Sequence, residues 1–344
     1  MRILMVGHYP PHGGGVARHL DNLVRELRKR HEVRVLTYGP VKVREFEREF
    51  VHQLRVPPVY GLRGSTFAFA GARKVAQLHR EFDFDVVHCH FAGTTSFSGA
   101  LAKEKTGLPL VVTAHGSDLE NTPKSPLGRF YVTKSLRKAD AVIAVSHHLA
   151  RLARALGAKN VRVIPNGVPE FDEPEMEKRE YVTFIGALRD YKSPETFVEL
   201  ARFFSHTEFL VVGDGPLRKK LEAEAPPNVR FLGYRTDVGG ILSKSLLLIL
   251  PSKREGFGLV VLEANSLGVP AVGRRVSAIP ELIRDGKNGL TFTSFDELVE
   301  AVRALLESPK TARKMGSTGK RVAGKYSWEK VAEEVERVYS SLVG

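Results

Sequence analysis

Short apolar runs alternate with longer amphipathic segments along nearly the whole chain. Runs such as 3–6 and 110–113 end at turn residues and are typical of buried parallel strands. Between such runs, residues 16–30 carry Leu20, Leu23 and Leu27 on one face, as a helix that covers a sheet does. This alternation predicts an α/β fold in which the ligand binds at the carboxyl ends of parallel strands.

The predicted strands fall into two sets. The first set is 3–6, 33–37, 86–88, 110–113, 141–145 and 161–164, and the second is 182–185, 209–212, 229–231, 246–250 and 271–272. A length of 344 residues also suits two domains of roughly 150 to 200 residues each. Residues 169–180 are acidic and contain prolines, as linkers do. We therefore predict doubly wound domains over 1–168 and 181–325, joined by this linker.

Two helix starts can be predicted from capping residues. Ser193 precedes Pro194, which favours a helix over 193–204 with Ser193 as its N-cap. Ser294 and Glu297 have the spacing of a capping box. A further apolar helix is expected over 259–267.

The positive charge of the chain is confined to its first half. The formal net charge is +13, from 52 Lys and Arg against 39 Asp and Glu; residues 1–168 hold 26 and 13, and residues 169–344 hold 26 and 26. Such an excess suits an acidic substrate, an anionic membrane surface or a nucleic acid. No recognised nucleic-acid motif accompanies the charge, so we expect no nucleic-acid partner.

Two segments of this basic half combine cations with apolar side chains. They are 60–74, with Arg63, Phe67, Phe69, Arg73 and Lys74, and 124–138, with Leu127, Arg129, Phe130, Lys134 and Arg137. This combination is typical of a lipid interface. Amphipathic helices packed on their own sheet would give the same pattern, so both interpretations stay open.

The single cysteine and the short apolar runs bear on the compartment. Cys89 alone forms no intrachain disulfide. No apolar run approaches the roughly 18 residues of a membrane span, and the N-terminus lacks the pattern of a signal peptide. We expect a cytoplasmic protein, with peripheral association at the inner membrane face as the remaining alternative.

The strongest motif is 251–263, Pro-Ser-Lys-Arg-Glu-Gly-Phe-Gly-Leu-Val-Val-Leu-Glu, in which a strand end, a glycine turn and an apolar helix follow one another. The turn leaves the amides of Phe257, Gly258 and Leu259 at a helix N-terminus, where they can bind phosphate or sugar hydroxyls. Glu255 and Glu263 flank these amides, and hydroxyl groups of a sugar and a ribose are suitable donors for both carboxylates.

Two further strand ends open into loops that could contact the same ligand. Gly186 is followed by Arg189 and Lys192, whose charges could neutralise a diphosphate without a metal. Gly213 begins a tight turn, Gly-Asp-Gly-Pro, which by itself indicates no more than a turn.

Three patterns imitate other sites. Asp83 and Asp85 resemble a metal-binding pair but immediately precede a predicted strand, so we interpret them as a solvated strand entry. His88 and His90 share one face of a strand while Cys89 takes the other. For these residues and for 147–148 we favour histidines that lie in the core or support a neighbouring site over ligands of zinc or iron. Gly13, Gly14 and Gly15 do not fit the spacing of a dinucleotide loop.

Taken together, these motifs identify a family resemblance. Seven motifs occur in the order and spacing of the retaining glycosyltransferases of the GT-B fold, family GT4. They are Gly14-Gly15, 112–115 (Val-Thr-Ala-His), 164–167 (Ile-Pro-Asn-Gly), 212–216, 255–263, 280–281 and 288–289. The chain resembles this family over nearly its whole length. The resemblance implies two Rossmann-like domains facing a central cleft, with the acceptor bound mainly by the first and the sugar nucleotide by the second. Residues 326–344 resemble a C-terminal helix that crosses back to the N-terminal domain.

The resemblance also implies roles for individual residues. Glu263 would bind the ribose, and Lys192 would bind the diphosphate. Glu255 would bind the donor sugar together with the amides of 256–259 (Gly256, Phe257, Gly258, Leu259). His115 would lie beside the transferred sugar, and Gly14 and Gly15 would close over the phosphates. Gly186, Arg189 and Gly213 complete the predicted donor site, and no metal or other cofactor is implied.

The sequence departs from the family pattern at two places. Family members commonly have arginine directly after the glycine that matches Gly186, whereas this chain has Ala187; we expect Arg189 to supply that charge. The familiar Gly-Gly before Pro-Glu is replaced by 277–279 (Ser-Ala-Ile), so the resemblance does not determine the shape of the sugar pocket.

The expected reaction is transfer of a sugar, with retained anomeric configuration, from a UDP- or GDP-linked donor. The acceptor would be a sugar, a lipid phosphate or another anion. A sugar-nucleotide isomerase or hydrolase on the same fold is one alternative, and a basic nucleic-acid-binding protein is another. Nucleotide release that requires an acceptor distinguishes transfer from both.

Overall fold

The computed structural model describes residues 1–39, 45–56, 62–169, 171 and 179–344, and these form two compact units. Unit 1 comprises Met1–Gly167 and Trp328–Gly344, and unit 2 comprises Val168–Ser327. Most of the predicted linker, 170 and 172–178, lies outside the described residues.

Unit 1 is built on a sheet of seven parallel strands. They are β1 (Arg2–Val6), β2 (Glu32–Tyr38), β3 (Val51–Leu54), β4 (Val86–His90), β5 (Leu110–Ala114), β6 (Ala141–Ala144) and β7 (Val161–Val163), in the spatial order β3-β2-β1-β4-β5-β6-β7. The six strands predicted for this half are confirmed to within two residues at each end. The apolar pattern misses β3 because it is an edge strand in which only Val51 is buried.

Seven helices of unit 1 accompany this sheet. They are α1 (Gly15–Leu27), α2 (Leu62–Phe82), α3 (Thr94–Thr106), α4 (Ser117–Glu120), α5 (Pro126–Lys138), α6 (His147–Ala155) and, from the C-terminus, α14 (Trp328–Val343). Helix α14 shares a core with α1 and the sheet, in which Val331 and Val335 lie among residues such as Leu20 and Leu23. The end of the chain is therefore part of the core of unit 1.

Unit 2 is built on a sheet of six parallel strands. They are β8 (Tyr181–Ile185), β9 (Glu208–Val212), β10 (Val229–Gly233), β11 (Ser245–Leu250), β12 (Ala271–Arg274) and β13 (Gly289–Phe292), in the order β10-β9-β8-β11-β12-β13. The five predicted strands are confirmed, and β13 is additional. Its sequence, Gly-Leu-Thr-Phe, is too short and mixed to register as an apolar run.

Seven helices among the described residues accompany the second sheet. They are α7 (Pro194–Ala201), α8 (Arg218–Glu224), α9 (Val238–Ser243), α10 (Leu259–Ser266), α11 (Ile279–Leu282), α12 (Phe295–Glu307) and α13 (Pro309–Ala323). The core contains an aromatic row of Phe184, Phe197 and Phe209, with ring centroids 5.7 and 5.2 Å apart. In neither unit does a helix of the described residues have the length and apolar character needed to span a bilayer.

The two predicted caps form only in part. Ser193 occupies the N-cap position of α7, but its backbone is left-handed (φ 49°) and its side chain caps no amide. The Ser294 hydroxyl accepts from the amide of Glu297 at 3.2 Å, as in a capping box. The reciprocal bond is displaced by one residue, since the Glu297 carboxylate accepts from the amide of Thr293 at 2.6 Å.

In both sheets the strand order reverses beside the first strand of the unit. Strand β1 lies between β2 and β4, and β8 lies between β9 and β11. Loops that leave two such neighbours turn to opposite faces of the sheet, which opens a crevice at their carboxyl ends. This topology places the ends of β1 and β4, and of β8 and β11, where ligands bind in doubly wound folds.

A buried hydrogen bond fixes α14 on unit 1 and gives a testable prediction. The Tyr339 hydroxyl and Nδ1 of His88 are 2.6 Å apart, and both side chains are fully buried. Because Tyr339→Phe leaves that nitrogen without this partner, we expect it to lower the free energy of unfolding of unit 1 by about 1–3 kcal/mol. Trp328, the only tryptophan, lies in α14, so its fluorescence during chemical denaturation reports this loss.

The matched control is Tyr234→Phe, whose ring is 70% exposed in unit 2 and which should leave the Trp328 transition unchanged. An identical transition for Tyr339→Phe and wild type would contradict the role given to this bond.

Candidate functional site

In unit 2, the loops that follow the neighbouring strands β8 and β11 are tied together. The amide of Lys253 donates to the carbonyl of Tyr191 at 2.9 Å, and its ammonium group pairs with Asp190 at 2.7 Å. The Arg254 guanidinium lies over the Tyr191 ring, 5.2 Å from its centroid. These contacts fix the 3-10 turn Asp190–Lys192 against the glycine loop that begins at 251.

Lys192 and Glu255 form an ion pair at the centre of this contact. Nζ of Lys192 is 2.5 Å from Oε1 of Glu255, and the Ser252 hydroxyl donates to the same oxygen at 2.8 Å. The Glu255 residue is 8% exposed, so its carboxylate depends on these donors. The structure thus joins two predicted site residues directly, which the sequence did not predict.

The N-terminus of α10 lies four residues beyond Glu255. Gly258 is its N-cap with φ 97°, a left-handed conformation that favours glycine. Among the described residues, no group accepts a hydrogen bond from the amides of Phe257, Gly258 or Leu259. These amides and the helix dipole favour an anion. Glu263 follows one turn later and is 3% exposed.

The glycines of the neighbouring loops permit close packing. Gly213 has φ 137°, and a Cβ there would lie 1.9 Å from the carbonyl oxygen of Gly186. The amide of Gly186 in turn donates to the carbonyl of Val212 at 2.9 Å. Gly213 therefore lets the loops after β8 and β9 approach each other, which supports the position of Lys192.

Arg189 lies on the surface, apart from the ion pair. Its side chain is exposed and has no hydrogen-bond or ionic partner in the described parts of the chain. Its carbonyl accepts from the amide of Lys192 at 2.9 Å, which places the two residues in one turn. A role of Arg189 in replacing the arginine absent at Ala187 stays a prediction.

In unit 1, Gly14 and Gly15 lie in the loop between β1 and α1. Gly14 is the N-cap of α1 with φ 104°, and Gly15 is the first residue of the helix. Both are exposed, and a Cβ at Gly14 would meet nothing within 4 Å. The backbone conformation is therefore what requires glycine at 14.

His115 follows β5 and is positioned by a buried carboxylate. The Asp118 side chain accepts from the amides of Ala92 at 2.8 Å, of His115 at 3.1 Å and of Gly116 at 2.7 Å. Burial raises the pKa of this carboxyl group, and the backbone donors oppose that rise. Asp118 thereby joins the loops after β4 and β5. The sequence reasoning missed it, although an aspartate at the start of a helix after a strand end is typical of such a role.

Three imidazoles meet at the ends of β4 and β5. His115 is grouped with His90, the last residue of β4, and with His19 of α1. Burial lowers the pKa of His19 to about 4 and that of His90 and His115 well below the ordinary value. Burial thus favours the neutral form of all three imidazoles.

His88 is a core residue, as the strand pattern predicts. It is fully buried and hydrogen-bonds Thr113 at 2.7 Å as well as Tyr339. Asp83 and Asp85, which resemble a metal-binding pair in the sequence, both contact Arg2. Asp85 accepts from the amide of Arg2 and Asp83 pairs with the guanidinium of Arg2, both at 2.7 Å. These aspartates therefore act at the strand entry, as predicted.

Part of the predicted lipid interface forms an aromatic patch, defined here as Phe69, Leu127 and Phe130. These side chains are 55%, 55% and 47% exposed. Phe97 of α3 joins them, with its ring centroid 6.3 Å from that of Phe69 and 5.6 Å from that of Phe130. Exposed cations on the same helices include Arg73, Arg129, Lys134 and Arg137, and Lys124 lies just before α5.

The interpretation that includes Phe67 in the same interface is wrong. Phe67 is fully buried, with its ring 4.4 Å from that of Tyr38, because on a helix it faces away from Phe69. Residues 60 and 61 and the side chain of Arg63 lie outside the described residues.

Comparison with known proteins gives a consistent result. The family model Glycosyltransferase Family 4 matches residues 13–170, and Glycosyl transferases group 1 matches residues 169–322. An uncharacterized glycosyltransferase of Methanocaldococcus jannaschii is 29% identical, with 99% of each chain covered. N-acetyl-alpha-D-glucosaminyl L-malate synthase of Bacillus anthracis is also 29% identical, covering 97% of this chain and 96% of the relative.

The fold also has solved counterparts. The crystal structure of Anabaena HepE in complex with UDP and glucose superposes with a TM-score of 0.85 at 20% identity, covering 99% of this chain and all of the other.

The buried carboxylate of Asp118 supports a prediction about stability. Asp118→Asn replaces an acceptor that serves several amides by a group with an N–H of its own, so at least one amide loses its partner. We expect the free energy of unfolding of unit 1 to fall by about 1–3 kcal/mol, measured by Trp328 fluorescence in denaturant.

Asp237→Asn, at an exposed position of unit 2 paired with Arg235, is the matched control and should leave that transition unchanged. Equal stability of Asp118→Asn and wild type would show that the carboxylate does not hold the two loops.

Proposed function

The chain belongs to the GT-B-fold glycosyltransferases of family GT4, and from this premise we propose that it transfers a sugar from a UDP- or GDP-linked donor to an anionic acceptor with retention. The observation that carries the proposal is the Lys192–Glu255 pair beside the amides of Phe257, Gly258 and Leu259, which have no acceptor among the described residues. A cation and amide donors suit a diphosphate, and a carboxylate suits the hydroxyl groups of a sugar.

We propose that donor binding exchanges the internal ion pair for bonds to the ligand. The diphosphate takes the ammonium group of Lys192 and the amides of Phe257 to Leu259, which are charge-assisted donors. The sugar hydroxyls then donate to Glu255, and the ribose hydroxyls donate to Glu263. Each buried charge keeps a partner in both states, so the exchange leaves neither uncompensated.

The departing diphosphate carries the developing negative charge of the reaction. Lys192, Arg189 and the N-terminus of α10 would stabilise it, as preorganised cations and amides do at oxyanion sites. Since these groups supply the required positive charge, we propose that transfer needs no metal ion. His115 contacts the transferred sugar in this proposal. Retention is expected from the family resemblance of the motifs.

An anionic acceptor is supported by charge and by a relative. Residues 1–168 hold 26 Lys and Arg against 13 Asp and Glu. The name of the Bacillus anthracis relative includes L-malate, a dicarboxylate. A positively charged surface concentrates such substrates near the protein.

We further propose that the aromatic patch docks on an anionic membrane surface, where the acceptor could be lipid-linked. Exposed aromatic side chains insert at the headgroup level, and the surrounding cations attract anionic lipid. The positive charge of residues 1–168 would then attract anionic lipid as well as an anionic acceptor.

The donor proposal predicts the effect of Lys192→Ala on nucleotide binding. Loss of a charged hydrogen bond costs about 1.5–3 kcal/mol, so affinity for the nucleoside diphosphate, UDP or GDP, that binds wild type should fall roughly ten- to hundredfold in calorimetry. Lys219→Ala, at an exposed position of α8, should bind as wild type. Unchanged affinity in Lys192→Ala would exclude its role at the diphosphate.

Transfer itself is tested by nucleotide release from a panel of UDP-, GDP- and ADP-sugars in chelator-treated solution. We expect release only with an acceptor present, malate, inositol phosphate or a sugar phosphate being suitable probes. Release without any acceptor would indicate a hydrolase, and release that needs added Mg²⁺ or Mn²⁺ would contradict metal-independent transfer.

The membrane proposal predicts selective vesicle binding. Wild type should co-sediment with vesicles containing phosphatidylglycerol more than with pure phosphatidylcholine, and a Phe69→Ser, Phe130→Ser double variant should lose most of that binding. Phe203→Ser removes an aromatic ring that is 52% exposed in unit 2 and should have no effect. Equal binding to neutral and anionic vesicles, or none, would contradict the proposal.

A further inference from the structure

The three imidazoles at the carboxyl end of the first sheet form a compact group, here called the imidazole triad: His19, His90 and His115. One ring nitrogen from each residue lies within 4.8 Å of the others. The ring centroids are 5.3 Å apart for His19 and His90, 4.7 Å for His19 and His115, and 5.5 Å for His90 and His115. All three residues belong to unit 1.

These distances match those of a metal centre. Zn²⁺ binds imidazole nitrogen at about 2.0–2.1 Å in tetrahedral geometry, which places two nitrogens about 3.3 Å apart and two ring centroids about 5 Å apart. Nδ1 of His90 and Nε2 of His115 are 3.3 Å apart. The other nitrogen pairs are within 4.8 Å, so the three nitrogens must approach one another by about 1.5 Å at most to hold an ion.

Two buried nitrogens of the triad have no protein partner. Nε2 of His19 and Nε2 of His90 accept and donate no hydrogen bond within the described ranges, although both residues are at least 97% buried. A buried polar atom without a partner is costly, and it calls for an explanation. A metal ion held by the triad supplies one for His19 directly.

Asn166 sets the tautomer of His19. Its Oδ1 lies 2.7 Å from Nδ1 of His19, and because this oxygen only accepts, the ring hydrogen is on Nδ1. The lone pair of His19 is then on Nε2, the buried nitrogen that has no partner in the described residues. Metal-binding histidines usually donate their other ring N–H to such an oxygen, which sets the tautomer and the ring orientation.

The chemistry of the triad selects the metal. Neutral imidazoles without a carboxylate suit Zn²⁺, Co²⁺, Ni²⁺ and Cu²⁺ and disfavour Mg²⁺ and Ca²⁺, which prefer oxygen. Asp118 does not join the group, because its carboxylate accepts from backbone amides, among them that of His115. Three ligands leave a fourth position for water, and the partly exposed His115 provides an entry path.

We propose that His19, His90 and His115 bind one divalent transition-metal ion, for which Zn²⁺ is the best candidate, and that the bound ion inhibits sugar transfer. The second half rests on the proposed function, in which His115 contacts the transferred sugar. An ion on His115 occupies one ring nitrogen and fixes the orientation of the ring, so we expect it to weaken the contact of His115 with the sugar.

The test is a Co²⁺ titration of chelator-treated full-length protein that carries no polyhistidine tag. Four-coordinate Co²⁺ absorbs strongly in the visible range, and we expect one equivalent to bind with that spectrum and to be displaced by Zn²⁺. His19→Gln, His90→Gln and His115→Gln should each weaken binding at least tenfold. Asn166→Ala should weaken it about ten- to hundredfold through the lost orienting bond.

His206→Gln, at an exposed position of unit 2, is the matched control and should bind Co²⁺ as wild type. Wild type that binds no Co²⁺, or binding that survives in all three triad variants, would overturn the metal site. Should a variant fail to fold, ring-nitrogen NMR of wild type decides: Zn²⁺ must shift the Nε2 resonance of His19, and an unshifted resonance overturns the site.

Inhibition is measured separately, as donor turnover with and without one equivalent of Zn²⁺. We expect Zn²⁺ to lower turnover at least tenfold in wild type, and chelator to restore it. Bound Co²⁺ with unaltered turnover would overturn the inhibitory role while the site stands. Absent turnover in metal-free protein would instead indicate failure of the proposed function.

Discussion

The reversal of strand order beside β1 and β8 is the constraint on which both halves of the molecule depend. Parallel strands deliver all their carboxyl ends to one edge of a sheet, and the reversal opens a crevice there. Each residue of the predicted donor site follows such an end or lies in the helix after it. Lys192 comes after β8, Glu255 after β11, and His115 after β5.

Charge compensation determines what unit 2 can bind. A lysine and a glutamate that are both largely withdrawn from solvent are stable only as partners, and the loops around Tyr191 hold them together. A ligand that carries both an anion and hydroxyl donors can take over each half of the pair. A nucleotide-diphosphate sugar has that composition, which connects the ion pair to the glycosyltransferase family of the chain. The amides at the start of α10 add donors that have no competing acceptor in the described residues.

Much of this arrangement can be predicted from sequence, because fully buried strands read as apolar runs and the glycine loop has a fixed relation to its helix. The edge strand β3 and the short β13 are not predicted in this way, since neither has enough buried residues to form an apolar run. The contacts of Lys192 with Glu255 and of Asp118 with three amides join residues on different strand ends, which no local pattern encodes. The imidazole triad cannot be predicted from a local pattern either. The sequence around β4 indicates core histidines, whereas the partners of His90 come from α1 and from the loop after β5.

The central claim is that the Lys192–Glu255 pair opens to receive the donor. A crystal structure of the protein with an intact nucleotide sugar tests it most directly. The account predicts that Nζ of Lys192 lies within hydrogen-bond distance of a diphosphate oxygen and that Glu255 accepts from a sugar hydroxyl. A bound donor that leaves the ion pair closed and contacts neither side chain would contradict it.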